Sequence, residues 1–182
     1  MRTTLPAGPA FDPASPARLG SAVAVEVFVC GSPDRGDDGA PIAASGLLRG
    51  GLPPDVAVRV VGQLDVDDLL SIPPGAGVVI VDAATGIDPG AIVDLALTGL
   101  IGQQDRIRPR SSHALALPEV VGLAEMIRGW PLRGRIVAIG GAQFGLGEPF
   151  SWPVAAALPV LSDAILEAVG HVRRPGDPRG GA

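Results

Sequence analysis

The sequence predicts an α/β fold, a three-layer αβα sandwich with helices on both faces of a mainly parallel sheet. Three observations point there. Short β-branched runs alternate along the chain with helical segments, the order that parallel crossovers require. Residues 77–81 form an unbroken apolar run, which implies a strand buried on both faces. The chain has 182 residues, 47% of them hydrophobic and 18% charged, enough apolar surface for one packed domain and too little length for two of ordinary size.

The first element is the strand at 23–30, Val-Ala-Val-Glu-Val-Phe-Val-Cys, which stops at Gly31-Ser32-Pro33. A helix is expected from Asp37 or Asp38 to about Arg49. Asp37 would cap it, Pro41 is tolerated in its first turn, and Gly50-Gly51 stops it. Residues 55–61 read as a second strand, and 65–70 as a short helix ending before Pro73-Pro74. The apolar strand from Gly77 runs directly into Asp82, and 92–97 reads as a further strand. A helix at 118–128, a strand at 135–140 and a last helix at 152–169 complete the set. Residues 1–21 and 171–182, rich in Pro with Ala, Ser, Gly or Arg, are expected to be flexible segments flanking a domain at 22–170.

Composition narrows the function. A net charge of −5 leaves no general basic face, so nucleic acid is not an expected partner; the arginines at 106, 108 and 110 are a local exception read as a solvated loop. No apolar stretch suggests a membrane span, and prolines interrupt the N-terminus where a signal peptide would be apolar, so a soluble, cytoplasmic protein is expected. The single cysteine, Cys30, excludes an internal disulfide and a cysteine-based zinc site. All 14 basic residues are arginine, and lysine, asparagine and tyrosine are absent.

In open parallel sheets, ligands collect beyond the carboxyl ends of the strands. Three polar groups fall there: Asp34, Asp37 and Asp38 after the first strand, Asp82 at the end of the 77–81 run, and His113 after Ser111-Ser112. Two carboxylates and an imidazole form an O,O,N set suited to a borderline divalent ion such as nickel or zinc. Taken singly, each has a plain structural reading: helix capping for the loop aspartates, loop support for Asp82, an exposed loop position for His113. A nucleotide site is disfavoured, because Gly31 and Gly36 lack both the Lys-Ser/Thr ending and the G-x-G-x-x-G pattern.

Several ordered segments together resemble the hydrogenase maturation endopeptidases. Gly31-Ser32-Pro33-Asp34-Arg35-Gly36-Asp37-Asp38-Gly39 is similar to that family's loop after the first strand. Val79-Ile80-Val81-Asp82-Ala83 is similar to its strand ending in aspartate, and Ser112-His113-Ala114-Leu115-Ala116-Leu117-Pro118-Glu119 to its histidine segment. Residues 147–158 are similar to the approach to its final helix, so the resemblance spans about 23–169.

The resemblance implies an endopeptidase that removes the C-terminal extension from the large subunit of nickel-iron hydrogenase. It implies that Asp38, Asp82 and His113 bind nickel carried by the precursor, so the ion arrives with the substrate and is bound transiently. Metal-assisted attack by water is the expected route, since neither a serine nor Cys30 has an evident base beside it. Val29, Ser32, Asp34 and Pro41 depart from the family's pattern. They motivate an alternative, a non-catalytic binding or checkpoint factor for the nickel-loaded precursor. Oligomeric state is not legible from the sequence.

Overall fold

The structure is a computed structural model that describes residues 23–48, 51–102 and 116–173. Strand β1, Val25–Val29, is buried at every position because it has a parallel partner on each side. One is β2, Val56–Val60, with Val25 opposite Val56; the other is β3, Gly77–Ala84, with Val25 opposite Gly77. Strand β4, Ile92–Ala96, runs antiparallel along β5, Gly134–Gly140, and β5 pairs parallel with β3. The five strands stand in the order β2-β1-β3-β5-β4. The expected α/β architecture with a mainly parallel sheet is what the chain adopts.

The two sheet faces carry separate cores. Val25, Val27 and Val29 point to the side covered by α1, Ala40–Leu47, and α4, Trp152–Arg173, where they meet Ala44, Leu161, Ile165 and Ala168. Phe28 and Cys30 point to the opposite side. There α2, Val66–Leu70, and α3, Leu117–Arg128, contribute Leu69, Val120, Val121 and Ala124. The same period-2 division of β3 between two apolar layers explains why residues 77–81 read as a continuous apolar run.

Several boundaries differ from expectation for local reasons. The first helix is preceded by a 3-10 turn, Gly36–Gly39, and neither it nor α1 has a side-chain cap, so Asp37 is not the helix cap that the sequence suggested. Asp65 does cap α2, accepting from the Asp68 N–H at 2.9 Å while Asp68 accepts from the Asp65 N–H at 3.2 Å. β3 continues past Asp82 to Ala84 because β5 extends alongside it to Gly140.

α4 continues to Arg173, beyond both the expected helix end at 169 and the expected start of the tail at 171. Its last turn is held by the Arg173 guanidinium on Asp55, with Nη2 donating to both carboxylate oxygens at 3.0 Å. By length and composition α4, with a mean hydropathy of 1.5 over its most apolar window, would suffice to cross a membrane, contrary to the expectation that no stretch would. Its face containing Leu161, Ile165, Ala168 and Val172 is buried in the core. Pro159 is tolerated inside it because the carbonyl left without a helical donor belongs to Ala155, on the exposed face.

Arg128 ties α3 to the C-terminal end of α2: its Nη1 donates to the carbonyls of Leu69 at 2.8 Å and, just beyond the helix, Ile72 at 3.1 Å. Arg128→Met retains the apolar stem and removes these bonds. A loss of about 2 kcal/mol in urea unfolding is expected, since the bonds involve a charged donor.

Glu26 lies mid-strand in β1, 8% exposed, with its Oε2 buried and unpaired among the described residues. Burial raises its pKa, and the Arg59 cation only partly opposes this. A carboxyl whose folded pKa is raised destabilises the fold at neutral pH, and the penalty disappears as the pH falls through that value towards the unfolded one. Glu26→Met should therefore raise the thermal midpoint at pH 7. The gain should shrink as the pH falls through the raised folded value and be lost below about pH 4.5, the ordinary glutamate value; a gain independent of pH would assign it to packing instead.

Candidate functional site

Where β1 leaves the sheet, the chain must reverse sharply. Cys30 still donates its N–H to the carbonyl of Val81 at 2.8 Å, and Gly31 donates to Gly62 at 3.0 Å. Gly31 has φ +117°, and a Cβ there would lie 2.0 Å from the carbonyl oxygen of Asp38. Only glycine lets the loop fold back so closely. The return brings Asp38 over the end of β1, where its Oδ2 accepts from the Ser32 N–H at 3.1 Å.

Asp82 stands on the neighbouring strand, one residue beyond the last β1–β3 pair, Val29 opposite Val81. It is half-buried, and its Oδ1 accepts from the Ala83 N–H at 2.8 Å. By strand alternation it shares the sheet face of Val78, Ile80 and Ala84, the face covered by α2 and α3.

Between the two strand ends, Cys30 is buried. Its thiol pKa is pushed well up, first by burial and then by the charge of Asp82; a hydrogen bond at Leu64 opposes this, and Asp68 and Asp38 add smaller upward contributions. A thiol held protonated in this way is a poor nucleophile. By strand register and the close approach at Gly31, Asp38 and Asp82 both lie at the carboxyl edge of adjacent central strands, and a cysteine mechanism is disfavoured there.

Beneath Asp38, Asp37 has a different task from the one the sequence suggested. It is fully buried and reaches across to the loop between β5 and α4. Oδ2 accepts from the N–H groups of Ala142 at 2.7 Å and Gln143 at 3.0 Å, and Oδ1 accepts from the Ser151 N–H at 2.7 Å. The Asp37 N–H donates in return to the Gln143 carbonyl at 2.8 Å. Burial alone would raise its pKa, but these backbone donors bring it below the ordinary value. A further bond joins the same two loops, from the Gly147 N–H to the Asp34 carbonyl at 2.7 Å. Asp34, a departure from the family's loop, is itself exposed.

His113, the third residue of the expected ligand set, lies outside the described residues, as do the arginines at 106, 108 and 110. Among the described residues no group of three or more His, Cys, Asp or Glu side chains is placed to hold a metal ion. Two carboxylates, Asp38 and Asp82, are the part of the expected set that the structure describes. On their own they supply hard oxygen donors and leave most of a coordination sphere to other ligands.

No protein-family model matches this sequence, and no curated protein matches it either. Solved structures do match its fold. The chain is similar to the hydrogenase maturating endopeptidase HybD from E. coli, with a TM-score of 0.67 and 17% identity over 81% of this chain and 92% of that one. The [NiFe] hydrogenase maturation protease HybD from Thermococcus kodakarensis superposes with a TM-score of 0.62 at 20% identity, covering 79% of this chain and 97% of its own. The hydrogenase 2 maturation peptidase from a Thaumarchaeota archaeon is 26% identical over 80% of this chain and 97% of its own, with a TM-score of 0.55. The chain has the fold of the hydrogenase maturation proteases, the family its motifs resemble.

Proposed function

We propose that this protein is a hydrogenase maturation endopeptidase, cutting the C-terminal extension from the nickel-loaded large-subunit precursor of a nickel-iron hydrogenase in the cytoplasm. The observation that carries the reading is the placement of Asp38 and Asp82 at the carboxyl edge of the adjacent strands β1 and β3, within the fold that the maturation proteases share. In this reading Asp38, Asp82 and His113 are the protein's ligands to nickel. The nickel enters as part of the substrate, and the substrate's own metal-binding groups complete its coordination.

Water then adds to the scissile carbonyl, the C–N bond breaks, and the departing amine takes up a proton. The ion's contribution is to polarise the carbonyl and orient the reactants. The two carboxylates hold the ion while the tied loops keep their backbone in place. A site with so few protein ligands favours a precursor that brings its metal over one that lacks it.

The test is incubation with a tail-bearing large subunit, with and without nickel, followed by mass measurement of the product. Loss of the tail from the loaded precursor alone is expected. Equal cleavage of both forms would remove the metal-reading role, and tight binding of the loaded precursor without cleavage would make the protein a checkpoint factor.

A further inference from the structure

The loop and helix that Asp37 fastens to the candidate site carry large apolar side chains open to solvent. Leu146 is 78% exposed and Trp152 is 82% exposed. Both are held by well-formed backbone. Leu146 precedes Gly147, whose N–H is bonded to Asp34, and Trp152 follows Ser151, whose N–H is bonded to Asp37.

The head of α4 therefore stands at the same sheet edge as Asp38. Its Pro153 carbonyl lies against Gly90, which donates to Gly140 at the carboxyl end of β5. Along α4 the exposed face continues through Ala156 to Val160, itself 60% exposed, and then turns acidic at Asp163 and Glu167. These positions share one side of the helix by their spacing. The apolar part is thus confined to the half of α4 nearest the candidate site, which a solvated helix face has no reason to show.

We infer that Leu146 and the Trp152, Ala156 and Val160 stripe form the docking surface for the precursor, taking an apolar segment of its polypeptide beside the cleavage site. This inference rests on the proposed function and names where that substrate is gripped. The rigid coupling of the surface to Asp38 favours such an occupant, because a chain seated on α4 is held in fixed relation to the carboxylates. Tryptophan in particular concentrates binding energy at protein interfaces. The exposed Leu123 and Met126 of α3, with Trp130 just beyond its C-terminal end, have no comparable bond to the site's loops among the described residues and serve as the control.

The experiment compares the wild type, the double variant Leu146→Ser/Trp152→Ser and Trp130→Ala for binding and cleavage of the nickel-loaded precursor. The double variant should bind at least about tenfold more weakly, with a near-normal rate at saturating precursor and an unchanged thermal midpoint. Trp130→Ala should match the wild type. In a Trp130→Phe protein labelled with 5-fluorotryptophan, the Trp152 fluorine resonance should shift when precursor is added, a readout that does not depend on the serine variants folding. Unchanged binding by the double variant, or an unmoved resonance while precursor is bound, overturns the docking surface and leaves the proposed function standing. A wild type that neither binds nor cuts the precursor overturns both.

Discussion

Asp82→Asn and Asp38→Asn should each lower the rate of precursor cleavage by about 100-fold or more while leaving the thermal midpoint within about 2 °C of the wild type. Losing an outer partner of a metal ligand commonly reduces activity by about 10–100-fold, so loss of the ligand's own charge should do at least as much. The amide keeps the size of the side chain and one acceptor oxygen. It can therefore retain the bonds from the Ser32 N–H to Asp38 and from the Ala83 N–H to Asp82. Stability and activity should separate for this reason. His113→Ala is expected to behave likewise in the cleavage assay. A variant that processes the loaded precursor at the normal rate would show that its residue is no ligand.

Asp37→Ala should do the reverse and act first on stability. Three backbone N–H groups, from Ala142, Gln143 and Ser151, lose their acceptor in a region where Asp37 is fully buried. At about 1–3 kcal/mol for each stranded donor, partly relieved by water, a loss of about 4 kcal/mol is expected, or roughly 10 °C in midpoint for a chain of this size.

Asp37 also sets a pH dependence. Its folded pKa lies below the ordinary 3.8, so its contribution is fully present above that value and is lost as the pH falls through the depressed folded value. The variant's deficit should accordingly be constant near neutrality and narrow in acid. A deficit of 1 kcal/mol or less would return Asp37 to the modest role of a helix cap.

The difference between Asp82 and Asp37 shows what local sequence can disclose. The position of Asp82 near the carboxyl end of a central strand was legible because the apolar run from Gly77 ends in it. Asp37 was misread because its neighbours in sequence, a helix following a glycine loop, suggest a capping role, whereas its partners lie 105, 106 and 114 residues away. The orientation of β4 was equally hidden. Its apolar residues read as a strand, but only pairing with β5 sets it antiparallel.

The sequence alone determined the alternation of strands and helices, the double-sided burial of β3, and the acidic residues at the carboxyl ends of β1 and β3. These follow from hydrophobic period and turn chemistry, which act over a few residues. The tertiary structure decided what those acids do. It brought Asp38 back over β1 through the contact that Gly31 allows, set Asp82 beside Cys30, and bound Asp37 to a loop from the far end of the chain. The physical reason is that a buried carboxylate must find its donors wherever packing supplies them, and packing joins segments whose separation along the chain carries no local signal.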